Sequence, residues 1–145
     1  MSSPEEMAGR ELASYTYTVE RGKIREMALA VGDDNPLYSD PEYAQKLGYR
    51  DIVAQPTFGT CIDLWGGLDF PSLCRKMQLN PLKVLHGEQE YNYYDAIYPG
   101  DKLEATCLLK DIKNKEKMLV LNLETRYYRA DELVLVARST IIERK

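Results

Sequence analysis

The residues best suited to do chemistry lie in AVGDDNPLYSDPEYA, residues 30–44: two adjacent carboxylates, Asp33 and Asp34, then Asn35, and Tyr38 five positions after the first aspartate. The chain's single imidazole, His86, stands far along the sequence in VLHGEQEYNYY. There is no G-x-S-x-G elbow, no G-x-G-x-x-G and no phosphate-cradling loop ending in Lys-Ser/Thr, which argues against serine hydrolases and nucleotide enzymes. What is left is proton transfer by carboxylates and one histidine. Read from local backbone chemistry alone, GDDNP is a helix-ending turn, because Gly, Asp, Asn and Pro each have a structural reason to stand there. Asp34 is then a solvated or capping residue, and His86 a structural hydrogen-bonder on a sheet.

The elements around the motif can be read from periodicity. YTYTVE, residues 15–20, alternates as a half-buried strand does. From Arg21 to Val31 the spacing becomes helical, with Ile24, Met27, Ala28 and Val31 on one stripe, and Gly32 suits the left-handed residue that ends many helices. Ser39-Asp40-Pro41-Glu42 carries an N-cap, an early proline and an acidic first turn, predicting a second short helix that stops at Gly48. PTFGTCIDLWGGL, with Pro56 at its start, repeats Phe58, Cys61, Ile62, Trp65 and Leu68 at helical intervals. It is apolar around much of its girth, and Trp65 is expected in the core. Gly59, Gly66 and Gly67 weaken such a helix by about 1 kcal/mol each at interior positions, so close backbone packing is the expected compensation. From Val84 onward four long strands follow, with turns at Tyr98–Asp101, 113–115 and 129–131; the last three read as an antiparallel meander. The tyrosines of EYNYYDAIY are expected to serve packing rather than ligand stacking.

At 145 residues the chain has the size of one domain, with residues 1–13 as a loose polar arm and 14–145 as the folded unit. A formal charge of −4 and a pI near 5.1, with Lys and Arg scattered among acidic residues, disfavour nucleic acid as a partner. No apolar run is long enough to span a bilayer, and MSSPEEMAGRE lacks a secretory pattern, so a cytoplasmic protein with no membrane contact is expected. Cys61, Cys74 and Cys107 are odd in number and widely spaced, as buried thiols of a reducing compartment are. None has metal-ligand spacing. The order of elements is α+β, consistent with a curved antiparallel sheet wrapped around a central helix.

The motif adds to this reading. G-D-D-N-P-L-Y-x-D-P-x-x-A resembles the signature of the MaoC-like (R)-specific enoyl-thioester hydratases and 3-hydroxyacyl-thioester dehydratases, which runs roughly G-D-x-N-P-L-H-x-D-P-x-x-A. GYRDIVAQPTF resembles the segment leading into that family's central helix. LHGEQEYNYYDAIYPGD resembles the strand and turn of its branch related to fatty acid synthase dehydratases. The resemblance implies a hot-dog fold, a 2-enoyl or 3-hydroxyacyl thioester of coenzyme A or acyl carrier protein as substrate, no metal or redox cofactor, and a homodimer or a heterodimer with a second hot-dog subunit. It implies further that Asp33 activates the reacting water, that Asn35 belongs to the motif's core, and that donors at the start of the central helix steady the thioester oxygen.

Two positions depart from the pattern. Tyr38 occupies the histidine position, and a phenol with an ordinary pKa near 10 is protonated at neutral pH, so it can orient a water but not act as its base. Ala54-Gln55-Pro56 replaces a His-Gly pair, and because proline has no N–H, Gln55 or Thr57 must supply the oxyanion contact. Three arrangements remain open: Asp33 as base with Tyr38 orienting the water, His86 supplying the imidazole, or a non-catalytic chain that binds the acyl group beside a competent subunit. A hot-dog thioesterase is a weaker alternative.

Overall fold

The computed structural model describes residues 4–145. Five strands, β1 (Glu11–Thr18), β2 (Val84–Tyr93), β3 (Lys102–Asn114), β4 (Met118–Arg129) and β5 (Glu132–Arg144), form one antiparallel sheet in the order β1-β3-β4-β5-β2. β3, β4 and β5 are the expected meander, with Ala130 at φ 53° in the tight β4–β5 turn. Along β3 and β4 the residues alternate between buried and more exposed, so one face of the sheet carries the core. β1 and β2 each pair on one side only, which leaves two sheet edges. No described helix is long and apolar enough to cross a membrane.

The strand β1 starts at Glu11, four residues before the alternation that begins at Tyr15. The loose arm expected over residues 1–13 is therefore corrected: Pro4–Met7 form a 3₁₀ turn, Gly9 donates its N–H to Leu109 O at 2.7 Å, and Leu12 is buried. Residues 1–3 of that arm lie outside the described residues. Composition misled here because one buried leucine is enough to hold a polar strand end against the sheet.

Helix α1 spans Arg21–Val31 and ends as its sequence indicates: Gly32 adopts φ 72°, and the Asp33 N–H donates to Ala28 O at 2.9 Å. The short helix α2, Pro41–Lys46, is capped by Asp40, whose carboxylate accepts from Glu42 N at 3.0 Å and Tyr43 N at 3.4 Å.

The central helix is shorter and less regular than its apolar spacing implies. One α-turn, α3 (Gly59–Cys61), runs directly into a π-helical stretch, Ile62–Gly66. The wider i→i+5 spacing shifts which positions share a face, so the stripe read at helical intervals is broken. Ile62 stays buried, but Trp65 is 86% exposed, contrary to its expected place in the core. The glycines do what the sequence suggests. A Cβ built on Gly59 lies 2.5 Å from the Tyr91 ring, one on Gly66 2.5 Å from Tyr17, and one on Gly67 2.3 Å from Tyr15. Tyrosines from both edge strands thus lie directly on the helix backbone. Gly59→Ala is expected to destabilise the protein by about 1–3 kcal/mol through overpacking, because the Tyr91 ring is also tied to Thr60 by a 2.5 Å hydrogen bond; a denaturant titration checks this. A helix that the spacing did not reveal, α4 (Phe70–Met77), follows, capped by Asp69 and burying Leu73, Cys74 and Met77.

Candidate functional site

Three segments converge beside α1. The chain after α1 makes a 3₁₀ turn, Pro36–Tyr38, capped by the Asn35 side chain, which accepts from Leu37 N at 3.0 Å. The Val53 N–H donates to Leu37 O at 3.3 Å, and the Ala54 N–H donates to Ile97 O at 2.8 Å. Residues 33–38, 49–56 and 93–98 are thereby stitched side by side. Parts of all three line a cavity of about 620 Å³, among them Tyr38, Tyr49, Ala54, Pro56, Tyr93 and Tyr98, while Asp33, Asn35, Gln55 and Thr57 lie outside its lining.

Charge holds this cluster in place. Asp101, 5% exposed, accepts from Arg50 at 2.7 Å, from Arg129 at 2.8 Å and from the Tyr98 N–H at 2.9 Å. Arg129 also reaches Asp95 at 2.6 Å, and the Arg50 guanidinium lies 4.2 Å from the centre of the Tyr98 ring. Arg21 and Asp51 pair through two hydrogen bonds of 2.8 and 2.6 Å, fixing the start of α1 to the middle segment.

Within this frame the candidate residues differ in standing. Asp33 is exposed at the end of α1, and one of its carboxylate oxygens accepts the Asn35 N–H at 3.0 Å. Tyr38 is only 8% exposed. Burial first, then the negative charge of nearby Asp33 and the neighbouring Tyr49, push its phenol above the usual range, so it stays protonated and is no base. Asn35 spends its side-chain oxygen on the local cap. Gln55 is 3% exposed, with its amide N–H donated to Ile24 O at 2.7 Å and its side-chain oxygen buried without a partner among the described residues. Its side chain therefore braces the loop against α1 rather than facing an open site. Thr57 is exposed beside the first turn of the central helix.

His86 is not brought to this cluster. It lies on edge strand β2 beside a bulge at Gly87 and lines a second cavity, of about 260 Å³, that shares no lining residue with the first. That second cavity sits between the central helix and the sheet, and it contains a carboxylate that belongs to no motif, Asp63. Tyr127 donates to Asp63 Oδ1, and the Tyr15 and Tyr127 hydroxyls are 2.9 Å apart. Since each hydroxyl has one proton, Tyr15 donates to Tyr127 while Tyr127 donates to Asp63. Burial pushes the Asp63 carboxyl up to about 6, opposed only in part by the Tyr127 hydrogen bond. The same burial raises Tyr15 and Tyr127, and takes Tyr91 to about 12. The signal in the sequence was a lone carboxylate inside an otherwise apolar helix, CIDLW.

A folded-state pKa above the unfolded value of about 3.9 means that the native state holds its proton longer. Stability therefore falls as pH rises from about 4 to about 6 and is flat above that range as far as this group is concerned. Asp63→Asn, which keeps an acceptor for Tyr127, is expected to remove that slope and to stabilise the protein at pH 7 by up to about 3 kcal/mol, as read from urea midpoints across the pH range.

Residues 6–137 match the family described as the FAS1-like, dehydratase domain region. The chain belongs to this family. Among its relatives, UPF0336 protein SCO4636 of Streptomyces coelicolor is 33% identical over an alignment of 149 positions that covers 99% of this chain and 97% of the relative. A UPF0336 protein of Streptomyces avermitilis is 42% identical over 101 residues, which span 68% of this chain and 65% of the relative. The FAS1-like dehydratase region shares its fold with one chain of the C-terminally truncated HadBC (3R-hydroxyacyl-ACP dehydratase) complex of Mycobacterium tuberculosis: TM-score 0.81, 24% identity, 94% of this chain and 96% of that one. A MaoC-like dehydratase superposes with a TM-score of 0.78 at 25% identity, over 97% of this chain and 43% of the other. The hot-dog fold expected from the motif is thus the fold found.

Proposed function

We propose that the chain takes part in reversible hydration of a 2-enoyl thioester of coenzyme A or acyl carrier protein, paired with a second hot-dog subunit, with Asp33 as the base that holds and activates the water. The observation that carries this reading is the placement of the Asp33 carboxylate. It is exposed at the end of α1, outside the lining of the roughly 620 Å³ cavity, and its charge acts on the protonated Tyr38, which does line that cavity. Asp33 accepts the water's proton as the water oxygen bonds the β-carbon and the C=C electrons move toward the thioester oxygen. The protonated Asp33 then returns that proton to the α-carbon as the enolate collapses, and Tyr38 donates a hydrogen bond that orients the water. The exposed Thr57, at the start of the central helix, supplies a contact to the thioester oxygen as charge develops there. The test is loss of the conjugated enoyl-thioester absorbance on mixing with enoyl-CoAs of several chain lengths, for wild type and Asp33→Asn.

A second reading is favoured by the burial of Tyr38, which keeps the phenol neutral where the motif has an imidazole. In it, the chain is the non-catalytic, acyl-binding subunit of a heterodimeric dehydratase. That two of its structural neighbours come from two-component complexes, HadBC and ChsH1-ChsH2, is in keeping with such a partner. Native mass measurement separates the readings, since a stable and active homodimer removes the need for the second subunit.

A further inference from the structure

The cavity under the central helix is chemically unlike the cluster around Asp33. Leu68, Leu73, Leu123 and Ile141 give part of its wall an aliphatic character, and its volume of about 260 Å³ lies just under the ~300 Å³ at which pockets for drug-sized molecules begin. Thr60, His86, Gln89, Thr125 and Ser139 add polar groups to this lining, and Asp63 is its carboxylate. Asp63 is the end of the Tyr15–Tyr127–Asp63 hydrogen-bond chain, and Tyr127 satisfies only one of its carboxylate oxygens. Among the described residues no donor reaches the other oxygen, and Asp63 lines the cavity.

We propose that this cavity binds a small aliphatic molecule bearing one hydroxyl, which donates to the unmatched oxygen of Asp63 while its hydrocarbon part lies against the leucines. A neutral donor fits better than an ammonium group, because a cation would have to be stripped of water to enter a mostly apolar chamber, and desolvation of a buried pair can exceed its attraction. The raised Asp63 carboxyl agrees with this, since a carboxylate short of donors is what a hydroxyl would relieve. The hydroxyl can belong to a free alcohol or to the far end of a tethered acyl chain. Binding here is measured without turnover and without Asp33, so its outcome is separate from that of the hydratase reading.

Isothermal titration of the full chain with 1-octanol and with its isomer 1-methoxyheptane, which lacks the donor, tests the proposal. A hydrogen bond to a charged group predicts that octanol binds about tenfold tighter or more, and that Asp63→Ala abolishes the difference. Competition then separates the sources. Displacement of octanol by ω-hydroxydodecanoyl-CoA but not by dodecanoyl-CoA identifies a tethered chain, and displacement by neither identifies a free alcohol. Equal binding of the two isomers, tighter binding of n-octylamine, or displacement by both thioesters alike overturns the proposal. The wild-type comparison decides even if Asp63→Ala does not fold.

Discussion

Asp101→Ala is expected to lower stability by about 3 kcal/mol, which for a chain of this size corresponds to a fall in Tm of about 10 °C. The size of the effect comes from what the carboxylate leaves behind. Arg129 is only 21% exposed and would lose one of its anionic partners, while the Tyr98 N–H would lose its acceptor. Removing one member of a buried, hydrogen-bonded charge pair strands the other in a poor solvent. Arg50→Ala touches the same carboxylate but removes a side chain that is 61% exposed, so it is expected to lower stability by less than about 1 kcal/mol. Because Asp101 anchors the 95–101 turn that walls the larger cavity, its loss should also loosen that cavity. Thermal unfolding of both variants checks the contrast.

Asp33→Asn is expected to lower kcat/KM for enoyl-thioester hydration by about 10²–10⁴-fold with little change in stability. The substitution keeps an oxygen that can accept the Asn35 N–H, so the turn that ends α1 should survive. What disappears is the ability to take a proton. Tyr38→His restores the imidazole of the related motif and is expected to raise the rate, although the ring enters a buried position now filled by a phenol. Tyr38→Phe removes the orienting hydroxyl and is expected to lower the rate less than Asp33→Asn does. A single series of three variants thus ranks the roles of the two residues.

Where local chemistry sets the conformation, the sequence was a good guide. Gly32 takes the left-handed turn that its position after Val31 implied, Asp40 caps α2, and the glycines of the central helix sit under tyrosine rings. The motif also pointed to the fold. Long-range effects were harder to read. The π stretch at Ile62–Gly66 turned Trp65 outward, and no residue pattern signals that widening on its own. Gln55 is one of two candidates, with Thr57, for the contact to the thioester oxygen, and the sequence does not show that its side-chain amide donates to Ile24 O, 31 residues away. Asp63 escaped notice for the same reason, since its partners Tyr15 and Tyr127 come from distant strands. His86 matched the chemistry sought, but sheet topology put it in a different cavity from Tyr38.

The central claim is that the Asp33 carboxylate performs the hydration step. Initial rates with an enoyl-CoA, for wild type and Asp33→Asn, each alone and each mixed with a hot-dog subunit that carries the motif histidine, test it most directly. The account predicts activity in the wild-type chain and a drop of about 10²-fold or more in Asp33→Asn under either condition. Equal rates for the two chains when mixed with the histidine-bearing subunit, and none for either alone, would contradict it and place the chemistry in the partner.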